Sequence, residues 1–162
     1  MATDKRLEID LTRQQLRVLE DGRLVSSYLV STARNGPGER LDSECTPCGR
    51  HEISEKIGQD CAVNTVFVGR KPTGNIFSNA ISAEHPERDW ILTRILWLSG
   101  LEPGRNSGGE NDTKARYIYI HGSPDGTPLG RPGSRGCIRM RNADVVELFD
   151  QVEEGTPVDI RG

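Results

Sequence analysis

The sequence predicts a mainly β fold, a β-sandwich or distorted barrel with one clear helix near the C-terminus. Three observations predict it. Short runs alternate apolar and polar residues with the two-residue period of a half-buried strand. Glycine and proline are frequent, 18 and 9 of 162 residues, which suits a turn-rich sheet better than a helical bundle. One helix is well marked, after Asn142.

The elements follow in order. Residues 7–11 (Leu-Glu-Ile-Asp-Leu) and 15–19 (Gln-Leu-Arg-Val-Leu) alternate as strands do. Asp21-Gly22 makes a tight hairpin turn, because glycine takes a positive φ at no steric cost. Residues 24–31 continue as the next strand. Residues 33–49 are rich in Gly, Pro and charge and read as a long loop, a kind of segment that often carries function. Residues 50–57 and 63–68 are strand-like. In residues 90–98, Ile91, Ile95 and Leu98 fit helical spacing, while the aromatic and β-branched content fits a buried strand; periodicity leaves both open. Residues 100–113 read as a polar, mobile loop, and the Tyr/Ile content of 116–121 as a strand. In the C-terminal helix Asn142 is the expected N-cap. Asp144 suits the positive end of the helix dipole. Val145, Val146, Leu148, Phe149 and Val152 form the apolar stripe, and Gly155 the stop. Residues 156–160 close the sheet.

The length suits one domain, residues 1–162, with a real core. A formal net charge of −3 argues against nucleic acid as a partner. No Lys/Arg run suggests a membrane surface, and no apolar run approaches the roughly 20 residues that span a bilayer. The first residues lack an apolar signal core, so a cytoplasmic location is expected if Met1 is the native start. Cys45, Cys48, His51 and Cys61 have ligand chemistry, and zinc or a redox pair are alternatives there. The preferred reading is reduced thiols around a strand start, with no metal and no cofactor.

The most informative feature is a pair. His121 ends an apolar run, and Cys137 follows sixteen positions later, after a glycine in a Ser/Gly/Pro-rich turn. A thiol needs a base to become a nucleophile, and imidazole is the usual one. Turn signals within residues 123–133 allow the chain to fold back and bring the two together. The chemistry this suggests is acyl transfer through a thioester, with Cys137 as nucleophile at a depressed pKa and His121 as general base. Backbone N–H groups of Gly136 and Cys137, with Arg135, are placed to receive an oxyanion. Ser134 is expected to brace the turn or bond the histidine. Arg139 shares a strand face with Cys137 and either binds a substrate carboxylate or forms a salt bridge. Tyr119 shares a face with His121 and either lines the pocket or packs in the core. Asp125 belongs to a Pro-Asp-Gly turn.

The string His121-Gly122-Ser123, then Leu129-Gly130, then Ser134-Arg135-Gly136-Cys137-Ile138-Arg139-Met140 and Asn142, resembles the signature of the L,D-transpeptidase catalytic domain (YkuD) family. Thr46-Pro47-Cys48-Gly49 and Ile53 are similar to that family's Thr-Pro-x-Gly-x-x-x-Ile segment. The family pattern usually has a second histidine where this chain has Arg135, which leaves His121 as the only histidine of the motif. The resemblance implies the L,D-transpeptidase fold and a strand for residues 90–98. It also implies that a backbone carbonyl near Gly122 or Ser123 orients the base. The implied partners are peptidoglycan stem peptides or muropeptides, and a carbapenem is expected to acylate the thiol. With no export signal seen, an L,D-carboxypeptidase acting on recycled fragments is the expected activity. The runner-up is a cell-wall L,D-transpeptidase. The competing class is a non-catalytic fragment-binding module, with Arg135 marking lost activity.

Overall fold

The computed structural model describes residues 4–162. It holds ten strands: β1 (Lys5–Asp10), β2 (Gln15–Glu20), β3 (Arg23–Leu29), β4 (Gly49–Ile57), β5 (Thr65–Val68), β6 (Lys71–Ile76), β7 (Leu92–Gly100), β8 (Tyr119–Ser123), β9 (Ile138–Arg141) and β10 (Pro157–Arg161). Two helices accompany them, α1 (Asn79–Glu84) and α2 (Asn142–Gln151). The strands form one curled sheet in the order β3-β2-β1-β10-β4-β7-β5-β6, with β8 on β7 and β9 on β8. The fold is mainly β with one substantial helix near the C-terminus, as the sequence predicts.

Local sequence accounts for much of this. Asp21 and Gly22 both take positive φ, 51° and 80°, the geometry of the two-residue hairpin joining β2 and β3. In β1 and β2 the even alternation buries Leu7, Ile9, Leu16 and Val18 on one face. In β7, Leu96 and Leu98 face the main core, whereas Ile95 and Trp97 join a second cluster with Phe67 and Tyr119. Both faces of β7 are covered, which is why its sequence reads as a continuous apolar run and its periodicity decides nothing. Helix α2 lays Val145, Leu148 and Phe149 into the main core against Ile120, Ile138 and Met140.

Three expectations are corrected. The strand expected over residues 116–121 starts only at Tyr119. Asp112 captures the preceding residues in a helical turn, Arg116 N–H donating to Asp112 O at 3.0 Å and Ala115 N–H to its Oδ1 at 2.9 Å, and Tyr117 is left-handed at φ 57°. Residues 100–113 are pinned rather than loose: Asn106 is fully buried and its amide donates to Cys48 O and Arg50 O at 3.0 and 3.1 Å. Asn142 is not the N-cap; Arg141 holds that position, and the Asn142 side chain is used elsewhere. Residues 69–89, which carry no clear period in the sequence, supply β6, the second strand of the β5–β6 hairpin, and α1.

His51 is a structural histidine. It is fully buried, its Nδ1 3.0 Å from Gly49 O and its Nε2 2.9 Å from Thr113 Oγ1. The four cysteines are unbridged, and among the described residues no three His, Cys, Asp or Glu side chains form a metal-ligand group. Burial pushes His51 down from 6.5 to about 4. Between those values the unfolded chain binds the proton and the native state does not. Stability is therefore full above pH 6.5 and falls as pH drops toward 4. The integrated loss is about 3 kcal/mol. His51→Gln should flatten this acid limb in urea titrations run at successive pH values; an unchanged limb would assign the acid sensitivity to other groups.

Candidate active site

Strands β8 and β9 pair in parallel, with Ile120 opposite Ile138 and His121 opposite Arg139. Alternation then divides their side chains cleanly. Ile120, Ile138 and Met140 enter the main core, while Tyr119, His121, Cys137 and Arg139 share the other face. Sixteen residues of sequence separation thus collapse to neighbouring positions on one sheet face.

His121 is fully buried. Its Nδ1 lies 2.6 Å from Gly122 O. A carbonyl oxygen only accepts, so the ring hydrogen sits on Nδ1 and the lone pair on Nε2. That Nε2 has no hydrogen-bond partner among the described residues, an unusual state for a buried polar atom. Burial holds the imidazole below its usual 6.5; the Asp89 carboxylate and the Gly122 carbonyl oppose this, and Arg139 adds to it. The resting ring is a neutral base.

Cys137 is partly exposed. Its thiol donates to Tyr117 O at 3.4 Å and accepts from Tyr119 N–H at 3.3 Å. Contrary to the expected depression, burial pushes the thiol up from 9.0 to about 12, only partly offset by the Tyr119 N–H. The physical reason is the packing beside Phe67, Ile95 and Tyr119, to which the nearby Asp89 carboxylate adds. Burial thus favours the neutral form of both the thiol and the imidazole at rest.

Gly136 sits at φ 134°, and a Cβ there would lie 3.2 Å from Ile118 Cδ1 and 3.3 Å from Cys45 O, so only glycine fits without strain. Its N–H donates to Ser134 Oγ at 3.2 Å, and the Ser134 hydroxyl donates to Cys137 O. Ser134 braces the turn, and the Gly136 N–H is already engaged. The Cys137 N–H has no partner among the turn and loop hydrogen bonds of the described residues. Arg135 is exposed, 3.5 Å from Glu87 O.

The model for the L,D-transpeptidase catalytic domain matches residues 4–160. The chain belongs to this family. The putative L,D-transpeptidase YqjB of Bacillus subtilis is 27% identical over 144 residues, which cover 89% of this chain and 64% of that protein. The putative L,D-transpeptidase YkuD of Bacillus licheniformis is 51% identical over 45 residues, 28% of this chain and 27% of that protein. Among solved structures, an L,D-transpeptidase from Mycobacterium smegmatis aligns with TM-score 0.61 at 17% identity, over 99% of this chain and 60% of that one. L,D-transpeptidase 3 from Mycobacterium tuberculosis, solved with a faropenem-derived adduct, gives 0.61 at 17% identity, over 99% and 61%. These structural likenesses show the fold. The chain spans about three-fifths of the length of these solved proteins.

Around the shared face of this L,D-transpeptidase domain, Arg139 is held. Its guanidinium pairs with Asp89 Oδ1 at 2.8 Å and donates to Gly133 O at 3.1 Å. Asp89 lies between α1 and β7, and no local motif singles it out; only the fold brings it to Arg139 and His121. Tyr119 is buried, and its hydroxyl accepts from Arg70 Nη1 at 3.0 Å. Asp125 is exposed in a turn closed by Thr127 N–H on Pro124 O at 2.9 Å. Arg94 is buried and donates to the Cys61 and Thr93 carbonyls at 2.7 Å each, so it is not free to meet a ligand.

A polar network that the sequence does not announce fixes the Gly122 side of the site. The Thr93 hydroxyl donates to Asn142 Oδ1 at 2.7 Å, Asn142 Nδ2 donates to Asn64 Oδ1 at 2.8 Å, and Asn64 N–H donates to Thr93 Oγ1 at 3.0 Å. Thr93 has φ 74°, an outlier for a β-branched residue, at the irregular pairing between β7 and β8. A side chain at Gly122 would collide with Asn142 Oδ1 and Leu92 O, so the network leaves no room beside the base. Asn142→Ala strands the Thr93 hydroxyl and the Asn64 amide oxygen, and should cost about 2–3 kcal/mol in urea unfolding. An unchanged midpoint would mean that water replaces the lost partners.

Proposed function

We propose that this domain is a cysteine acyl-transfer enzyme that cleaves the L,D bond of peptidoglycan stem tetrapeptides through a thioester on Cys137. The observation that carries this reading is the idle, lone-pair-bearing Nε2 of His121, buried on the same sheet face as Cys137. The thiol gives up its bond to Tyr117 O and passes its proton to Nε2 as substrate binds, and the sulfur attacks the carbonyl preceding the terminal D-residue. The imidazolium then protonates the departing amine. The Cys137 N–H meets the oxyanion. Arg139, steadied by Asp89, is a fixed cation beside the thiol for a substrate carboxylate.

Two clefts flank the Arg135 turn. One, about 350 Å³, is bounded by Arg34, Asp89, Ser134 and Arg139. The other, about 250 Å³, is bounded by Leu41, Arg116, Tyr117 and Ile118. Hydrolysis needs one cleft, whereas two suit a donor peptide and an amine acceptor. This favours transpeptidation or D-amino acid exchange, in keeping with the names of the relatives. L,D-carboxypeptidase action on soluble fragments in the cytoplasm is the second reading, for conditions in which water is the available acceptor.

Incubation with a disaccharide tetrapeptide, with and without an added D-amino acid, followed by mass spectrometry, tests both. An exchanged tetrapeptide supports the first reading, and a tripeptide alone supports the second. No turnover, together with an intact mass that imipenem leaves unchanged, would point to a non-catalytic fragment-binding module.

A further inference from the structure

Arg116 presents a half-buried guanidinium with no carboxylate within 4.0 Å among the described residues. It is anchored by neutral oxygens. Nη2 donates to Cys45 O at 2.7 Å and Ser43 Oγ at 3.3 Å, and Nη1 donates to Gly38 O at 3.3 Å. These bonds fix its direction without neutralising its charge. Withdrawing a cation from water without a counter-ion is costly, so the charge calls for an anion that forms later.

The chain that carries Arg116 also wraps the candidate nucleophile. Tyr117 O receives the Cys137 thiol proton at 3.4 Å, and Tyr119 N–H donates to the sulfur at 3.3 Å. Cys45 O, the main anchor of Arg116, faces Gly136, where an added Cβ would lie 3.3 Å away. Arg116 also lines the smaller cleft with Tyr117, Ile118 and Arg135. Other charged and titratable groups share these surroundings. Glu39, Asp42 and Cys45 face Arg116, and Glu44 and Arg135 line its cleft. Asp89 and Arg139 also act on the thiol, and His121 shares its sheet face.

We propose that Arg116 is a positioning residue of the acyl-transfer reaction, a fixed positive charge without a carboxylate partner that adds to Arg139 in stabilising Cys137 as a thiolate. The sulfur carries a negative charge twice. It does so first when the S–H bond breaks, the proton passes to His121 Nε2 and the sulfur keeps the electron pair. It does so again when the acyl group leaves for its acceptor and the sulfur departs from the tetrahedral carbon. The proposal rests on Cys137 as nucleophile, but its test needs no peptidoglycan, so the two fail separately.

The test is iodoacetamide labelling of Cys137, read by peptide mass between about pH 7 and 9.5, in wild type, Arg116→Lys and Arg116→Gln. Loss of a neighbouring opposite charge raises a thiol pKa by about one unit or more. The Gln variant should therefore label about tenfold more slowly at each pH, and the Lys variant close to wild type. Thermal melts identify folded variants, and Arg116→Met carries the same expectation if Gln unfolds. A folded neutral variant that labels at the wild-type rate overturns the proposal. Equal slowing in Lys and Gln also overturns it, because the anchoring bonds rather than the charge would then be the cause.

Discussion

Cys137→Ala is expected to abolish turnover and leave the fold intact. Removing the sulfur removes the covalent path itself, so loss should be complete to within a few per cent of residual rate. The structural cost is small. Cys137 lies at the edge of the cluster of Phe67, Ile95 and Tyr119 and is partly exposed. Truncating it should change stability by about 1 kcal/mol or less. The backbone groups that hold the thiol, Tyr117 O and Tyr119 N–H, lie near the surface or in the strand ladder and can be satisfied there. Paired measurements decide the matter: stem-peptide turnover, and intact mass after imipenem. Wild type should gain one adduct, and the variant none. An alanine variant that still turns over would exclude the thioester route.

Loss of His121 should have the second-largest effect, about 10²–10⁴ in rate, the usual span for a general base. His121→Asn is the cleaner probe. Its carboxamide nitrogen can take the place of Nδ1 and keep the bond to Gly122 O, while nothing replaces the lone pair of Nε2. A fall in kcat with a normal melting temperature is the expected result; a change in KM alone would make His121 a substrate contact. The pH profile gives an independent check. Burial lowers the imidazole pKa, so the neutral, competent form persists below the usual 6.5. Activity in wild type should be present above that depressed value and be lost as pH falls through it. Burial raises the thiol pKa, so activity near neutrality is expected to depend on proton transfer to His121 rather than on a thiolate present at rest.

The strands were legible where one face is buried and the other wet. Leu7, Ile9, Leu16 and Val18 alternate because β1 and β2 lie over a one-sided core. Strand β7 was not legible from its pattern, because Leu96 and Leu98 face one cluster and Ile95 and Trp97 another. Asn142 misled for a related reason. An asparagine before an apolar stripe looks like a cap, yet here its amide is committed to Thr93 and Asn64, 49 and 78 residues away in the chain. Strand β6 and helix α1 were not legible because their residues are mostly exposed and carry no core-facing period.

By itself the sequence determined what short-range chemistry encodes: the β2–β3 turn at Asp21-Gly22, the alternating strands, the apolar stripe of α2 and the string from His121 to Asn142 that resembles the family signature. The charge state of the site was decided only by the tertiary structure. Protonation follows the total electrostatic and dielectric surroundings, which distant segments supply. Asp89 arrives from beyond α1, Arg116 is anchored on the 38–45 loop, and the packing of Phe67 and Ile95 turns an expected thiolate into a thiol near pKa 12. None of these neighbours lies within ten residues of Cys137 in sequence, so no local pattern could have announced them.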